Sequence, residues 1–380
     1  MRKYELVSTD SHLEVSPDMW RPYVDKEFRD YTPKVVKLDN GGDGWLMPGN
    51  PVPFNLGLNF SAGRGWQNLK PTGISYAEDL VGAGDAEQRV REMDQDGIDA
   101  EVLFPAVSGQ RTLDSGAIPP EAYIAICQGY NNWLSEFAKT DPDRLLGAAL
   151  MPTSGVDDAV AEMRRVATLP GIRCIILHQW PNGSGAPSED DDKFWAAALE
   201  LNMPITAHVS WGTGPAADKM TPQVEGLTNF APINAMMTKG MTNAYAPMQM
   251  ITARVFDKFP TLQMFIAEIA AGWIPYFMER SDDEYMRHRY WAGIEMDHEP
   301  SYYLKNNFHW GIWIDRVALR LRDMIGVEHM QWSTDFPHVV TDWPNSRKTV
   351  EDLFEGIPAE DKYKITCGNA INYFHLDAVQ

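Results

Sequence analysis

The run IRCIILH, Ile172 to His178, is followed by DDKFWAAALELN, Asp191 to Asn202, and then by PITAHVS, Pro204 to Ser210. How these three runs are read decides the fold. The outer two are apolar with little alternation, which is the pattern of strands buried on both faces of a parallel sheet. The middle one reads as an amphipathic helix. Strand, helix and strand in that order make one parallel crossover unit. Each strand run also carries a histidine at or near its end, His178 and His208.

The same unit recurs in both directions. YELVS (Tyr4 to Ser8), IDAEVLFP (Ile98 to Pro105) and LLGAALMP (Leu145 to Pro152) precede it. LQMFIAE (Leu262 to Glu268), NNFHWGI (Asn306 to Ile312) and HMQWSTDFP (His329 to Pro337) follow it, giving eight strand candidates. Amphipathic stretches lie between most of them, among them AEQRVREMDQDG, PEAYIAICQGYNNWLSEFAKTD, VDDAVAEMRRVATL, AGWIPYFMERSDDEYMRHRYW and DRVALRLRDMIG. Gly97 and Gly326 sit where a helix would stop. The expectation is an α/β fold, a (β/α)8 TIM barrel, with residues 1–380 forming a single domain. An open doubly wound sheet is the alternative, but no Gly-rich phosphate turn follows the first strand.

Two connections exceed ordinary barrel loops, residues 14–85 after strand one and 211–246 after strand five. Both would emerge at the C-terminal face, where barrel active sites lie, and are expected to serve as lids and substrate walls. The first is rich in aromatic residues, including Trp45, Phe54, Phe60 and Trp66. It implies a substrate with an apolar or ring-containing part. Arg64 or Lys70 would hold a carboxylate there, and Trp66, Arg64, Trp180 and His309 are the substrate-binding candidates.

Composition bounds the partners. Hydrophobic residues make up 44% of the chain, enough for a large core. A formal net charge of -20 repels phosphate backbones and anionic lipid, so neither nucleic acid nor a membrane surface is an expected partner. The expected partner is a small-molecule substrate. The three cysteines, Cys127, Cys174 and Cys367, have no metal-binding spacing and are an odd, scattered set, which fits a reducing cytoplasm. There is no apolar signal core at the start and no apolar run long enough to span a bilayer, so the expected location is cytoplasmic. The aromatic stretch from Ala271 to Trp291 would suit the core or a homodimer interface.

Polar residues gather at the strand ends. Asp10 and His12, two apart, point to the same side of strand one. His178, His208 and Glu268 follow at strands four, five and six, His309 lies within strand seven, and Asp335 closes strand eight. In a closed barrel strand eight adjoins strand one, which brings Asp335 beside Asp10 and His12. Imidazoles and carboxylates without a lysine among them call for a divalent cation to offset their repulsion. Asp10, His12, His208, Glu268 and Asp335 are the candidate metal ligands. His288 and His298 are expected at the surface, and His329 and His375 in structural roles.

These residues carry a pattern that extends through DSHLEVSPDMW, REMDQDGIDAEVLFP, PITAHVS, FPTLQMFIAEIAAGWIPYFMERSD, STDFPH and CGNAINYFHLD. The chain resembles the amidohydrolase superfamily, in the branch that groups metal-dependent hydrolases with the carboxymuconate-semialdehyde and resorcylate decarboxylases. By that resemblance Asp10 replaces the first His of a His-x-His motif and His12 keeps the second. His208 would be the strand-five ligand. Asp335 would touch the metal and take a proton from attacking water, with His338 hydrogen-bonding near it. One departure stands out: where the decarboxylases of the branch have a strand-six His followed by glycines, this chain has Glu268.

The leading expectation is therefore a hydrolase that cleaves an acyl bond (amide, ester, lactone or thioester) with metal-activated water. Asp335 would act as base, and His178 or His338 would help to polarise the carbonyl. The alternative is non-oxidative decarboxylation of an aromatic or unsaturated carboxylic acid, which the loss of the strand-six His weighs against. A third reading, a non-catalytic binding barrel, is disfavoured because His208 and Asp335 are both present. The carboxylate-rich set would suit one or two ions of zinc, iron or manganese.

Overall fold

In the computed structural model, residues 3–77, 80–106, 118–209, 211 and 237–376 are described. The strands are β1 (Val7–Leu13), β2 (Lys34–Lys37), β3 (Asp43–Leu46), β4 (Phe54–Asn55), β5 (Ala100–Pro105), β6 (Leu145–Leu150), β7 (Ile172–Leu177), β8 (Ile205–Ala207), β9 (Met264–Ile266), β10 (Phe308–Ile312) and β11 (Met330–Trp332). The eight apolar runs became β1 and β5 to β11, all parallel, in the order β1-β5-β6-β7-β8-β9-β10-β11. The two edges meet through a Ser11–Phe336 bridge. The His12 amide donates to the Phe336 carbonyl at 2.6 Å and the Asp335 amide to the Asp10 carbonyl at 2.9 Å. The expected (β/α)8 barrel is the observed one.

Strand direction explains the burial. Phe308 and Trp310 alternate with His309 along β10 and turn outward, where they meet Phe256 and Trp273 of the surrounding helices. On β1, His12 turns inward against Phe104 of β5, at a ring distance of 6.0 Å. Helix Ala86–Asp96 starts on Asp85, whose carboxylate accepts from the Gln88 amide, and ends on Gly97 in the left-handed conformation at φ 74°. Its buried Arg89 donates to Glu101 at 2.6 Å and to the His12 carbonyl at 3.0 Å, and covers the Phe336 ring at 4.4 Å. One guanidinium thus ties this helix to both sides of the barrel closure.

Element boundaries differ from the sequence reading in an instructive way. The first strand runs from Val7 to Leu13, past the expected end at Ser8, because its polar residues still pair with β5 across a register shift between Ser8 and Ser11. Strands β8, β9 and β11 are only three residues long, so His208, Glu268 and Asp335 lie just beyond them in loops. The expected helix DRVALRLRDMIG is two short helices, Arg316–Arg320 and Arg322–Ile325, broken at Leu321.

The first insertion folds β2, β3 and β4 into a small antiparallel sheet. It is pinned to the C-terminal face by the Trp45 indole donating to the Tyr76 hydroxyl and by that hydroxyl donating to the Glu14 carbonyl, at 3.0 and 3.2 Å. The amides of Ser61 and Ala62 also donate to the Pro337 carbonyl. Of the second insertion, residues 212–236 lie outside the described residues. At the other end of the barrel the C-terminal helix Asn369–Tyr373 closes the floor. Tyr373 donates to the Ile205 carbonyl at 2.6 Å and Asn369 to the carbonyls of Val327 and Met330. Among the described residues no helix is long and apolar enough to cross a membrane.

Candidate metal centre

The period of two in β1 puts Asp10 and His12 side by side in the barrel mouth, and closure brings Asp335 to them. Nε2 of His12 lies 3.3 Å from Asp10 Oδ1, 3.3 Å from Asp335 Oδ1 and 3.1 Å from Nε2 of His208. His208 Nε2 is 3.7 Å from Asp10 Oδ1. One ligand atom from each of Asp10, His12, His208 and Asp335 falls within 4.8 Å of all the others, and all four residues are buried.

Electrostatics make this cluster untenable without a cation or protons. None of the four carboxylate oxygens of Asp10 and Asp335 accepts a hydrogen bond of acceptable geometry, although all are buried. A buried ionised carboxylate left so costs several kcal/mol. His12 Nδ1 lies 3.2 Å from the Pro105 carbonyl, which only a protonated Nδ1 can satisfy, so Nε2 is left to present a lone pair to the centre. Two imidazole nitrogens and two carboxylates then converge on one point, a donor set that suits zinc, iron or manganese. Geometry and donor chemistry fit a single divalent cation.

The charges also show what happens in its absence. Burial opposes the imidazolium of His12, but Asp10 and Asp335 outweigh it and push the ring up to about 10. His208 goes the other way: burial lowers it, with Asp10 pulling up and the His12 charge pushing down. Asp335 is held well below the usual carboxylate range, where His338 and His12 overcome the burial penalty. His338 is raised as well: burial and the charge of His12 oppose it, and Asp335 and Glu14 outweigh both.

A second triplet, His12, Glu14 and His338, is also close enough to share a cation. It borrows His12, whose lone pair already faces the first group and whose other nitrogen is on Pro105. Only Glu14 and His338 remain, and these face each other at 3.1 Å. The four-residue group offers a full donor set for a cation, whereas the triplet shares its His12 with that group.

The remaining expected site residues scatter. Glu268 flanks the group, Oε2 3.5 Å from His208 Nε2, but is not one of the four converging residues. It is 4% exposed and has a φ of 58°, and Asp335 has a φ of 54°. Two non-glycine residues in the left-handed region cost about 1–3 kcal/mol each, and such strain concentrates at functional sites. His178 follows β7 at the same face, half-buried. Trp180 is buried against Trp211 at a ring distance of 4.8 Å. Arg64 is half-buried and donates to the Phe60 carbonyl at 3.0 Å.

Two of the expected substrate-binding residues lie apart from this group. Trp66 is 81% exposed, because its short turn projects from the insertion into solvent instead of folding over the mouth. His309 is the second residue of β10 and so lies at the floor of the barrel, against Gln263, His329 and Tyr373, away from the C-terminal face. The residue that the sequence reading passed over is Glu14. It continues the spacing Asp10, His12, Glu14, and that spacing is the signal that could have found it.

Comparison with known proteins supports the architecture. The family model described as Amidohydrolase matches residues 10–376. The Decarboxylase orsB of Emericella nidulans is 24% identical over 297 residues, covering 75% of this chain and 83% of that protein. The amidohydrolase map2389c from Mycobacterium avium subsp. paratuberculosis K-10 superposes with a TM-score of 0.74 at 18% identity, over 98% of this chain and 100% of the other. The 5-carboxyvanillate decarboxylase from Novosphingobium aromaticivorans DSM 12444, complexed with manganese and 4-hydroxy-3-methoxy-5-nitrobenzoic acid, gives 0.67 at 18%, over 98% and 96%. At such identities the structural likeness shows the fold alone. The family match spans nearly the whole chain, and the protein belongs to the amidohydrolase family.

Proposed function

We propose that this chain is a divalent-metal-dependent, non-oxidative decarboxylase of a small aromatic or unsaturated carboxylic acid. The observation that carries the reading is the buried group Asp10, His12, His208 and Asp335, with four carboxylate oxygens lacking hydrogen bonds. Similarity to named decarboxylases, one of them manganese-bound, moves the reading away from the acyl hydrolase that the strand-six substitution favoured.

When bound, the cation would supply Lewis acidity that stabilises the charge developing as the carboxylate leaves. Asp10, His12, His208 and Asp335 would hold it. Trp180 and Trp211 would wall the ring from the β7 and β8 side. Glu268 takes the position of the strand-six His and, in its protonated form, would deliver the proton to carbon; its Oε2 lies 3.5 Å from His208 Nε2. The balance is simple: the carbon–carboxylate bond breaks, carbon dioxide leaves, and one proton takes its place on the carbon.

The test is to load the full chain with manganese and supply 5-carboxyvanillate and a panel of hydroxybenzoates in deuterium oxide. Carbon dioxide release with deuterium at the vacated ring carbon is the expected result. Failure across the panel, together with water-oxygen incorporation from esters or lactones, would return the reading to a hydrolase acting through Asp335-activated water.

A further inference from the structure

The geometry points to Glu14 as a positioning residue for the metal centre, acting through His338. This rests on the proposed metal binding, though not on which reaction the metal serves. Glu14 is 1% exposed, and its Oε1 lies 3.1 Å from His338 Nε2. The other ring nitrogen of His338 lies 3.0 Å from Asp335 Oδ1. The same ring stacks on His12 at 3.9 Å between centroids, with planes 23° apart. Carboxylate, imidazole and carboxylate thus form one buried line, and its middle member lies flat against a second candidate ligand.

Such a line fixes two ligands at once. Asp335 sits at a left-handed φ directly before the Phe336–Pro337 turn, a conformation that Asp tolerates better than most residues but that does not by itself aim the carboxylate. Its carboxylate direction must come from contacts, and His338 supplies one. Without Glu14, the His338 ring could turn about its side-chain bonds and lose both the Asp335 contact and the stack. Glu14 is itself held from outside the barrel, since its carbonyl accepts from Tyr76, which Trp45 of the first insertion anchors. Pro337, one residue before His338, takes two amides from the same insertion at Ser61 and Ala62. The long loop after β1 therefore holds the line at Glu14 and beside His338, which would give it a role in holding the metal as well as in covering the mouth. Outer partners of metal ligands commonly account for about 10- to 100-fold in metal affinity or activity.

The experiment measures manganese affinity of the full chain by chelator competition, with no substrate present, for wild type, Glu14→Ala, Glu14→Gln, His338→Ala and the Glu14→Ala/His338→Ala pair. Thermal melts of each metal-free form run alongside. The expected result is an affinity loss of about tenfold or more in Glu14→Ala. Gln keeps an acceptor oxygen and restores most of it, and Glu14→Ala adds nothing to His338→Ala. Wild-type affinity in Glu14→Ala would overturn the assignment, as would losses in the double variant that multiply. So would a fall in Glu14→Gln equal to that in Glu14→Ala. Because affinity is read without turnover, a failed decarboxylase assay leaves this result standing, and a failed Glu14 result leaves the reaction open.

Discussion

The two ends of the barrel use the same residue type to opposite effect. At the C-terminal mouth His12 and His208 face Asp10 and Asp335, and four carboxylate oxygens there lack hydrogen bonds. At the floor the His309 and His329 rings lie 4.7 Å apart, tilted by 42°, with amide, carbonyl and aromatic neighbours, Gln263, the Phe308 carbonyl and Tyr373. Burial drives His309 well below its ordinary value, with His329 pushing the same way, and burial lowers His329 too. At the mouth, carboxylates reverse that effect for His12. A buried histidine is thus a ligand or a packing residue according to the charge opposite it, and its place in a strand does not decide which.

The sharpest way to break this contrast is at Asp335. Replacing it with Asn removes the charge of a candidate ligand while keeping the shape. Turnover should fall by about a hundred- to ten-thousandfold and bound metal per chain should drop. An Asp335→Asn variant with normal metal content and normal rate would mean that the mouth is not the reactive end.

Metal removal comes next. Chelation should abolish turnover reversibly and lower thermal stability, since an ion at a hundred times its Kd contributes about 2.7 kcal/mol. If the stripped protein melts at the same temperature as the loaded one, the cation does not bind the folded chain as described.

The two ends should also differ in the sign of their pH dependence once the metal is gone. The His12 value is raised in the folded state, so its contribution is complete below its unfolded value near 6.5 and fades as pH rises toward about 10. His309 and His329 are depressed, so theirs is complete above about 6.5 and is lost as pH falls through their lowered folded values. Melts of the metal-free protein should show alkaline softening that His12→Asn removes. They should also show acid softening that His309→Asn reduces. The same His309→Asn variant should keep its turnover, and a lost rate there would overturn its placement at the floor.

The smallest effect belongs to Trp66. With most of its surface in solvent, Trp66→Ala should change stability by no more than about 0.5 kcal/mol and leave KM unchanged. A large rise in KM would show that the turn closes over substrate.

The legible parts of this protein were those set by period and sign. Unbroken apolar runs separated by amphipathic helices point to a parallel sheet covered on both faces, and the lack of a Gly-rich phosphate turn after the first strand favours the barrel over an open sheet. The spacing of Asp10 and His12 fixes their shared face, and in a closed barrel the last strand adjoins the first, so the expected fold puts Asp335 beside them. His208 followed from the same logic at the fifth strand.

Other features were beyond that reasoning. The sequence does not show that β8, β9 and β11 stop after three residues, which leaves Glu268 and Asp335 at left-handed turns. It does not show that His309 sits low on its strand, a matter of where β10 begins. Nor does it show that His338 lies between Glu14 and Asp335, residues separated by over three hundred positions. By itself the sequence determined which residues share a face, because side-chain direction along a strand is a local, periodic property. The tertiary structure alone decided which faces meet and at which end, because register, strand length and loop anchoring arise from contacts between segments far apart in the chain.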